Sequence, residues 1–475
     1  MIKDNWGSRI IAEYRWDKKH TFPVIFCMLA LVLGVMTIFI TPPLQGPDED
    51  IHFLTCWKIS HGDFSLNVPS SFASFSNMHG YLIAHPERKY SWEHWKQSRQ
   101  YRNIPNEKQL IYTCMQYHAT LSYIPALIGM TFSAIFSDRY LTALYWGRLT
   151  CLLTYIILGA LALYYLPAGK PVIFLLLLMP QSIFQAAMIS YDGITNGMFC
   201  LWASLLFRDI FAAKLQEQRF SRSLIICSIL LCFCKVPYMI VLGALLLLLF
   251  MKNISEKKNI LLLTVICVCV LTSTIALHTW LSNLPPQNGE TFVRIMEPGQ
   301  GTVDVLSCNT TPLSERILQV PGLIFSTITS MQRLMIYAGS FVGCIGALDT
   351  LLPPSLLVFY LACILLLLCS SENNLTWKGK VFFLITGIGL TGMIFFIFAY
   401  SYNPINGTIP GITGRYFIPM AFLLALALQN KCLKSSFITK HENILAISIA
   451  TILGITMIVT LLQRYYFSYW WDRTM

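Results

Sequence analysis

Residues 22–40 read FPVIFCMLALVLGVMTIFI, and residues 41–53 continue directly as TPPLQGPDEDIHF. The first stretch carries no charge and has the length of a bilayer-spanning helix, about 20 residues. It is too long for the apolar core of a signal peptide, and no small-residue cleavage site follows it. A retained membrane anchor is expected. Pro42, Pro43, Gly46 and Pro47 then stop the helix. Three consecutive carboxylates, Asp48, Glu49 and Asp50, stand where the chain leaves the membrane.

The rest of the 475 residues repeats the apolar theme. The chain is 55% hydrophobic and 12% charged, with mean hydropathy +0.58, whereas soluble domains average about 25% charged residues. Apolar runs recur as far as Leu462, so the expected fold class is an all-α polytopic membrane protein. The net charge of +11 does not point to nucleic acid, because the basic residues are scattered through short loops, as orientation signals are. Most of the fifteen cysteines lie inside apolar runs, where they act as small hydrophobes. Cys232 and Cys234 form CxC without a following histidine at ligand spacing, so no zinc site is expected there. Cys56, Cys114 and Cys308 fall in expected outer loops, where nothing in the pattern demands a disulfide.

Five segments carry excess Lys and Arg: the N-terminus, 208–222, 252–258, 372–380 and 431–442. The positive-inside rule places all five in the cytoplasm. Residues 42–117 hold seven Lys/Arg and seven Asp/Glu; this loop and 282–353 are placed outside. The expected order is a cytoplasmic N-terminus (1–21), a first transmembrane helix (22–41), an outer loop with the acidic motif (42–117) and a transmembrane core (118–281). A second outer loop (282–353), further transmembrane helices (354–463) and an outer tail (464–475) complete it, with about 11–12 crossings. Between 118 and 207 four apolar stretches (118–137, 141–166, 171–190, 193–207) occupy a place where the charge rule needs an odd number of crossings. One of the four is therefore not a full crossing; Pro125 and a polar start make 118–137 a candidate for a partly interfacial stretch, and the sequence leaves the choice open. Residues 223–251 have cytoplasmic charge at both ends. Two short helices turning at Lys235-Val236-Pro237 satisfy this; one straight helix does not.

Charged groups at membrane depth are costly and stand as functional hypotheses by default. Asp48, Glu49 and Asp50, followed by His52, form the sharpest cluster; a carboxylate there can act as base toward a sugar hydroxyl, hold a metal or orient an acceptor. A solvated loop start is the bland alternative. Asp192 stands alone between two apolar stretches, and the competing role is N-cap of a helix starting at Gly193. Gln181, Ser182 and Gln185 precede it and could line the same cavity. Lys235 interrupts an apolar run, and Arg415, beside Tyr416, sits where an outer loop re-enters the membrane. Both cations suit phosphate oxygens, with interfacial snorkelling the alternative for Arg415. Acids and bases from distant parts of the chain are thus expected on one face, the layout sugar transfer from a lipid phosphate would use.

PPLQGPDEDIHF at 42–53, Tyr123-Ile124-Pro125, Gly147-Arg148-Leu149, MPQSIFQAAMISYDG at 179–193, KVPY at 235–238 and GRYFIP at 414–419 follow one another through nearly the whole chain. In this order the chain resembles the bacterial DUF2142 family, a branch of the GT-C superfamily of membrane glycosyltransferases. The resemblance implies a GT-C-like helical bundle with a long first outer loop, a polyprenyl-phosphate-linked sugar donor, a glycan acceptor and inversion at the anomeric carbon. It makes Asp48 the preferred base with Glu49 its neighbour, and Asp50, His52 and Asp192 the acceptor or second acidic positions. It turns Lys235, Arg415 and Tyr416 toward the donor phosphate. Family members usually read PDEPAHF where Asp50 here replaces the proline. No cofactor is fixed by the resemblance, and a divalent metal remains an option. The process implied is decoration of surface polysaccharide such as lipopolysaccharide O-antigen, with glucose the commonest sugar, at the periplasmic face of the inner membrane. A lipid-linked-sugar synthase and flippase would act in the same pathway.

A transporter or flippase of lipid-linked glycans predicts polar residues through the midplane and often repeat symmetry; neither shows. An O-antigen polymerase usually carries its main functional loop late in the chain, whereas the acidic motif here follows the first span.

Overall fold

The computed structural model describes residues 6–64, 67–104, 107–112, 120–212, 221–251, 313–370, 375–430 and 436–467, with isolated residues between 265 and 292. Helices dominate it. Four of them, among the described residues, are long and apolar enough to cross a bilayer: His20–Ile40, Tyr140–Tyr165, Trp377–Ser401 and His441–Tyr465. Shorter apolar helices fill the space between them. The chain is an all-α polytopic membrane protein.

Helix α1 (Trp6–Ile40) packs along α6 (Tyr140–Tyr165), and α6 packs in turn against α5 (Ile124–Ala134) and α9 (Tyr191–Ala212). The buried faces are mostly apolar, with Phe22, Phe26, Leu152, Tyr155, Phe199 and Trp202 in one continuous core, while Thr37, Arg148, Thr195 and Asn196 are buried polar exceptions. Lipid-facing positions such as Val24, Met28, Val32 and Ile157 are equally apolar and stay exposed. A helix buried on one side and facing hydrocarbon on the other has no polar stripe to show.

In the crowded region between 118 and 207 only α6, among the described residues, is long and apolar enough to cross a bilayer. Eleven residues of α5 rise only about 16 Å, roughly half of the hydrocarbon thickness. Both its ends sit at one end of the bundle. Leu121 donates its backbone N–H to the Phe233 carbonyl, and Asn103 donates to Asp138 just beyond the helix. The expected crossing at 171–190 is not one straight helix. Pro180 cannot donate into the preceding turn, so α7 (Lys170–Leu177) ends and α8 (Pro180–Ala186) begins anew.

Residues 222–251 form the expected hairpin. Helix α10 (Arg222–Cys232) reaches Lys235, and after a 3₁₀ turn (Val236–Met239) α11 (Ile240–Met251) returns. The bundle therefore has two distinct ends. At one, Gln429 donates to the Gly169 carbonyl, Lys380 to the Gln429 carbonyl and Asn430 to the Leu368 carbonyl. The other carries residues 42–50, 190–192, 233–238 and 414–416, and is the site end.

Residues 42–117 are more structured than a loop. Helix α2 (Glu49–Ser60), strand β1 (Asn67–Pro69), α3 (Ser70–Ala84), α4 (Trp92–Ser98) and strand β2 (Gln109–Tyr112) follow one another. β1 pairs antiparallel with β2, and β2 pairs parallel with β3 (Thr291–Phe292), tying the first expected outer loop to the second. The second also carries two amphipathic helices, α12 (Leu313–Thr329) and α13 (Met331–Val342), separated at Ser330. Beyond them, α14 (Pro354–Ser370), α15 (Trp377–Ser401), α16 (Ile418–Leu428) and α17 (Ser436–Tyr465) complete the bundle. The end of α17 is stapled to the first loop: Arg464 bonds Asp349 and the carbonyls of Leu82 and Pro86. All but a few isolated residues of the expected pass at 259–281, together with Cys114 and Cys308, lie outside the described residues; Cys56 is a free, buried thiol.

Candidate active site

The three carboxylates after α1 have three different environments, because successive residues entering a helix point about 100° apart. Asp48 caps α2 in the left-handed conformation (φ 54°, ψ 20°), which Asp tolerates better than most residues. Its side chain is 55% exposed, whereas Glu49 is 0% and Asp50 2% exposed. Only Asp48 opens to solvent.

Glu49 is committed elsewhere. Its Oε1 accepts from Arg148 Nε at 2.7 Å and from the Ile189 backbone N–H at 3.1 Å. Its Oε2 accepts from Arg148 Nη2 at 2.6 Å and from the Gly46 N–H at 3.0 Å. The remaining Arg148 donors reach the carbonyls of Ile38, Thr41 and Pro42, the frayed end of α1. Every donor of the guanidinium and every acceptor site of the carboxylate is used. Glu49 is thus a positioning residue rather than a neighbour of the base: with Arg148 it ties the end of α1 and the start of α2 to Ile189, just before α9. The turns that present Asp48 and Asp192 are therefore fixed by one ion pair.

Asp192 is not the N-cap of its helix. Ser190 Oγ accepts from the Asp192 backbone N–H at 3.0 Å, so the hydroxyl satisfies the orphan donor and the carboxylate is left for other partners. Those partners are cations. Lys235 Nζ donates to Asp192 Oδ1 at 2.9 Å, and Arg415 Nε lies 3.6 Å from Oδ2. Arg415 Nη2 also lies 3.4 Å from Asp48 Oδ2 and donates to the Tyr416 hydroxyl at 3.2 Å. Asp48, Asp192, Lys235, Arg415 and Tyr416 converge from four separated segments.

The walls are aromatic. The Lys235 ammonium stands 4.3 Å from the Tyr191 ring centroid and 4.4 Å from that of Tyr416, a two-sided cation–π cage. His52 packs edge-on against Tyr191 and shares a 2.6 Å hydrogen bond with the Tyr123 hydroxyl. His52 therefore backs the cage. Asp50 is buried in the first turn of α2.

Two glycines make the approach possible. A Cβ on Gly193 would lie 2.7 Å from the Gln185 carbonyl, and one on Gly414 would lie 2.0 Å from the Tyr337 carbonyl. α9 thus seats against α8 and the Arg415 turn against α13 through bare backbone. Gln181, Ser182 and Gln185 are all buried. Gln185 accepts from Asn196, Gln181 from the Cys344 N–H, and Ser182 donates to the Leu176 carbonyl. They stitch the broken α7–α8 segment to its surroundings.

Among the described residues no group of three His, Cys, Asp or Glu side chains converges to hold a metal ion. The counter-charge to the carboxylates is supplied by Lys235 and Arg415.

The family described as predicted membrane protein (DUF2142) matches residues 31–424, a span that contains every residue of this cluster. The chain belongs to the DUF2142 family. No curated protein and no solved structure matches it. For this DUF2142 protein, Tyr191, Tyr123 and Arg148 are the site residues to which the sequence assigned no role. Each lay inside a quoted motif, and only the fold shows what it faces.

Proposed function

We propose that this DUF2142 protein is a membrane glycosyltransferase of GT-C type. It moves a sugar from a polyprenyl-phosphate-linked donor to a glycan acceptor, such as lipopolysaccharide O-antigen, on the periplasmic face of a bacterial inner membrane. The observation that carries the reading is the division of labour around Asp192. That carboxylate holds Lys235 and Arg415 together at one spot, while Asp48 stands open 3.4 Å from Arg415. A base and a paired cationic seat lie side by side.

The chemistry follows. Asp48 accepts the proton of an acceptor hydroxyl as its oxygen bonds to the anomeric carbon from the face opposite the phosphate, inverting it. The bond from that carbon to the phosphate oxygen breaks, and its electron pair stays with the lipid phosphate. Lys235 and Arg415 meet the growing negative charge with donors already in place, and Tyr191 and Tyr416 hold the ammonium without neutralising it. A synthase and a flippase for the lipid-linked sugar would supply the donor, glucose being the first sugar to try.

The test is transfer itself. Purified protein is given polyprenyl-phosphate-hexose and a lipid-linked glycan, and product is followed by mass spectrometry. Asp48→Asn keeps the left-handed turn, which Asn also tolerates, and removes the base. The expected loss is about 10²–10⁴-fold with unchanged membrane expression. Wild-type transfer by Asp48→Asn would remove Asp48 from the chemistry. Movement of the donor between leaflets without transfer would favour a flippase.

A further inference from the structure

A second charged feature lies apart from this site. Lys96, Arg99, Gln100, Arg102 and Arg139 line a cavity of about 330 Å³. The backbone builds it. Residues Arg102 and Arg139 face each other in an antiparallel bridge, flanked by Asn103 N–H to Asp138 carbonyl and Tyr140 N–H to Tyr101 carbonyl bonds. Helix α4, which carries Lys96, is capped at both backbone and side chain by Ser91 and His94.

Among the described residues only one of these four cations has a carboxylate partner. Lys96 meets Glu93 at 3.0 Å on an exposed face, a pairing worth little in water. Among the described residues no carboxylate pairs with Arg99, Arg102 or Arg139, and exposed Asp138 forms no ion pair with its neighbour. The Arg99 guanidinium carbon stands 4.9 Å from the Trp95 ring centroid, a cation–π contact that leaves its charge in place.

Its depth is set by the helices. Arg139 immediately precedes α6, which is long and apolar enough to cross a bilayer, a position that fits a cavity at the lipid–water boundary. The exposed face of α5 leading up to it is apolar, with Ile128, Phe132, Ile135 and Phe136 uncovered. On the far side, Trp92 stacks on Trp95 and is itself exposed, as aromatic residues at membrane interfaces often are. Uncompensated cations above an uncovered apolar face fit an anionic headgroup with a chain below it.

We propose that Lys96, Arg99, Arg102 and Arg139 seat the phosphate of a membrane lipid whose chain lies along α5. This is a second anion site, separate from the Lys235–Arg415 pair, and it stands or falls without sugar transfer because binding is read directly.

The full chain in detergent is titrated with a polyprenyl pyrophosphate, phosphatidylglycerol, phosphatidylcholine and inorganic pyrophosphate, and adducts are counted by native mass spectrometry. Arg99→Gln/Arg102→Gln/Arg139→Gln should weaken retention of the anionic lipids by about ten-fold, the equivalent of roughly 1.4 kcal/mol, and leave phosphatidylcholine unchanged. Arg415→Gln should keep those adducts at this seat. Loss confined to the polyprenyl pyrophosphate assigns the seat to a substrate lipid, and equal loss of both assigns it to bulk anionic lipid; either supports it. Retention equal to wild type in the triple variant overturns the proposal. So does inorganic pyrophosphate binding as tightly as the lipids, which would mark a free-anion site. Independently of any variant, a lipid carrying a photoreactive headgroup should crosslink wild-type protein within 92–102 or 135–140, and crosslinks only elsewhere would also overturn it.

Discussion

Two ion clusters lie within a few residues of each other at one end of the bundle, and they are built in opposite ways. Glu49 and Arg148 are fully buried, meet through two bonds of 2.7 and 2.6 Å, and leave no donor or acceptor unused. Asp48, Asp192, Lys235 and Arg415 meet at 2.9, 3.4 and 3.6 Å, and Asp48 remains half open. A saturated pair has nothing left to offer a ligand, so its role is to hold backbone. An under-satisfied cluster with an open edge can exchange partners. The difference separates scaffold from site more cleanly than residue type does, since both clusters contain one acid next to the other in sequence.

The largest effect should come from the closed pair. Arg148→Met leaves the Glu49 carboxylate buried without a counter-ion, and breaking such a pair costs about 3–5 kcal/mol. Thermal unfolding in detergent should shift accordingly, with poor membrane expression. Glu49→Gln combined with Arg148→Met removes both charges and should recover part of the loss. A single Arg148→Met variant as stable as wild type would end the distinction drawn above.

Next is Asp192→Asn. Sugar transfer should fall by at least about 10²-fold, on the scale of losing one preorganised electrostatic partner. The unfolding midpoint should move much less than with Arg148→Met, because this cluster reaches solvent. If Asp192→Asn unfolds the protein as severely, the open cluster is scaffold too.

How much of this the sequence disclosed depends on where charge meets apolar surroundings. Asp48, Asp192, Lys235 and Arg415 stand out because each interrupts an apolar stretch or bounds one, and the positive-inside rule with the break at Pro237 was enough to bring them to one end. The hairpin at Lys235 follows from the same reasoning, which required one incomplete crossing between 118 and 207 without deciding which. The choice of Asp48 over its two neighbours was not legible, because it depends on helix phase at the first turn of α2. Arg148 was invisible as a staple, since its partner lies 99 residues away and its bonds go to carbonyls that any sequence would have. The capping of α9 by Ser190 instead of Asp192 turns on a single hydroxyl rotamer. Nor does any spacing rule announce that Tyr191 and Tyr416 face each other across an ammonium.

The smallest expected effect belongs to a buried titratable group beside the closed pair. His79, on α3 outside the spans, is buried; its Nε2 shares a 3.0 Å hydrogen bond with Ser98, and its carbonyl accepts from Gln45 in the turn before Asp48. Burial, with the Arg148 and His94 charges adding to it, pushes the imidazole down to about 3. The folded protein therefore keeps His79 neutral, whereas the unfolded chain binds a proton below its ordinary value of about 6.5. Above pH 6.5 neither state is protonated and His79 makes no pH-dependent difference. Between pH 6.5 and 3 only the unfolded state gains a proton, so stability falls as the pH drops, by about 2 kcal/mol at pH 5. Midpoints measured from pH 8 to 5 should decline for wild type and flatten for His79→Gln, which keeps a polar group toward Ser98 without a titrating ring. Parallel curves for the two proteins would mean that the acid sensitivity arises elsewhere.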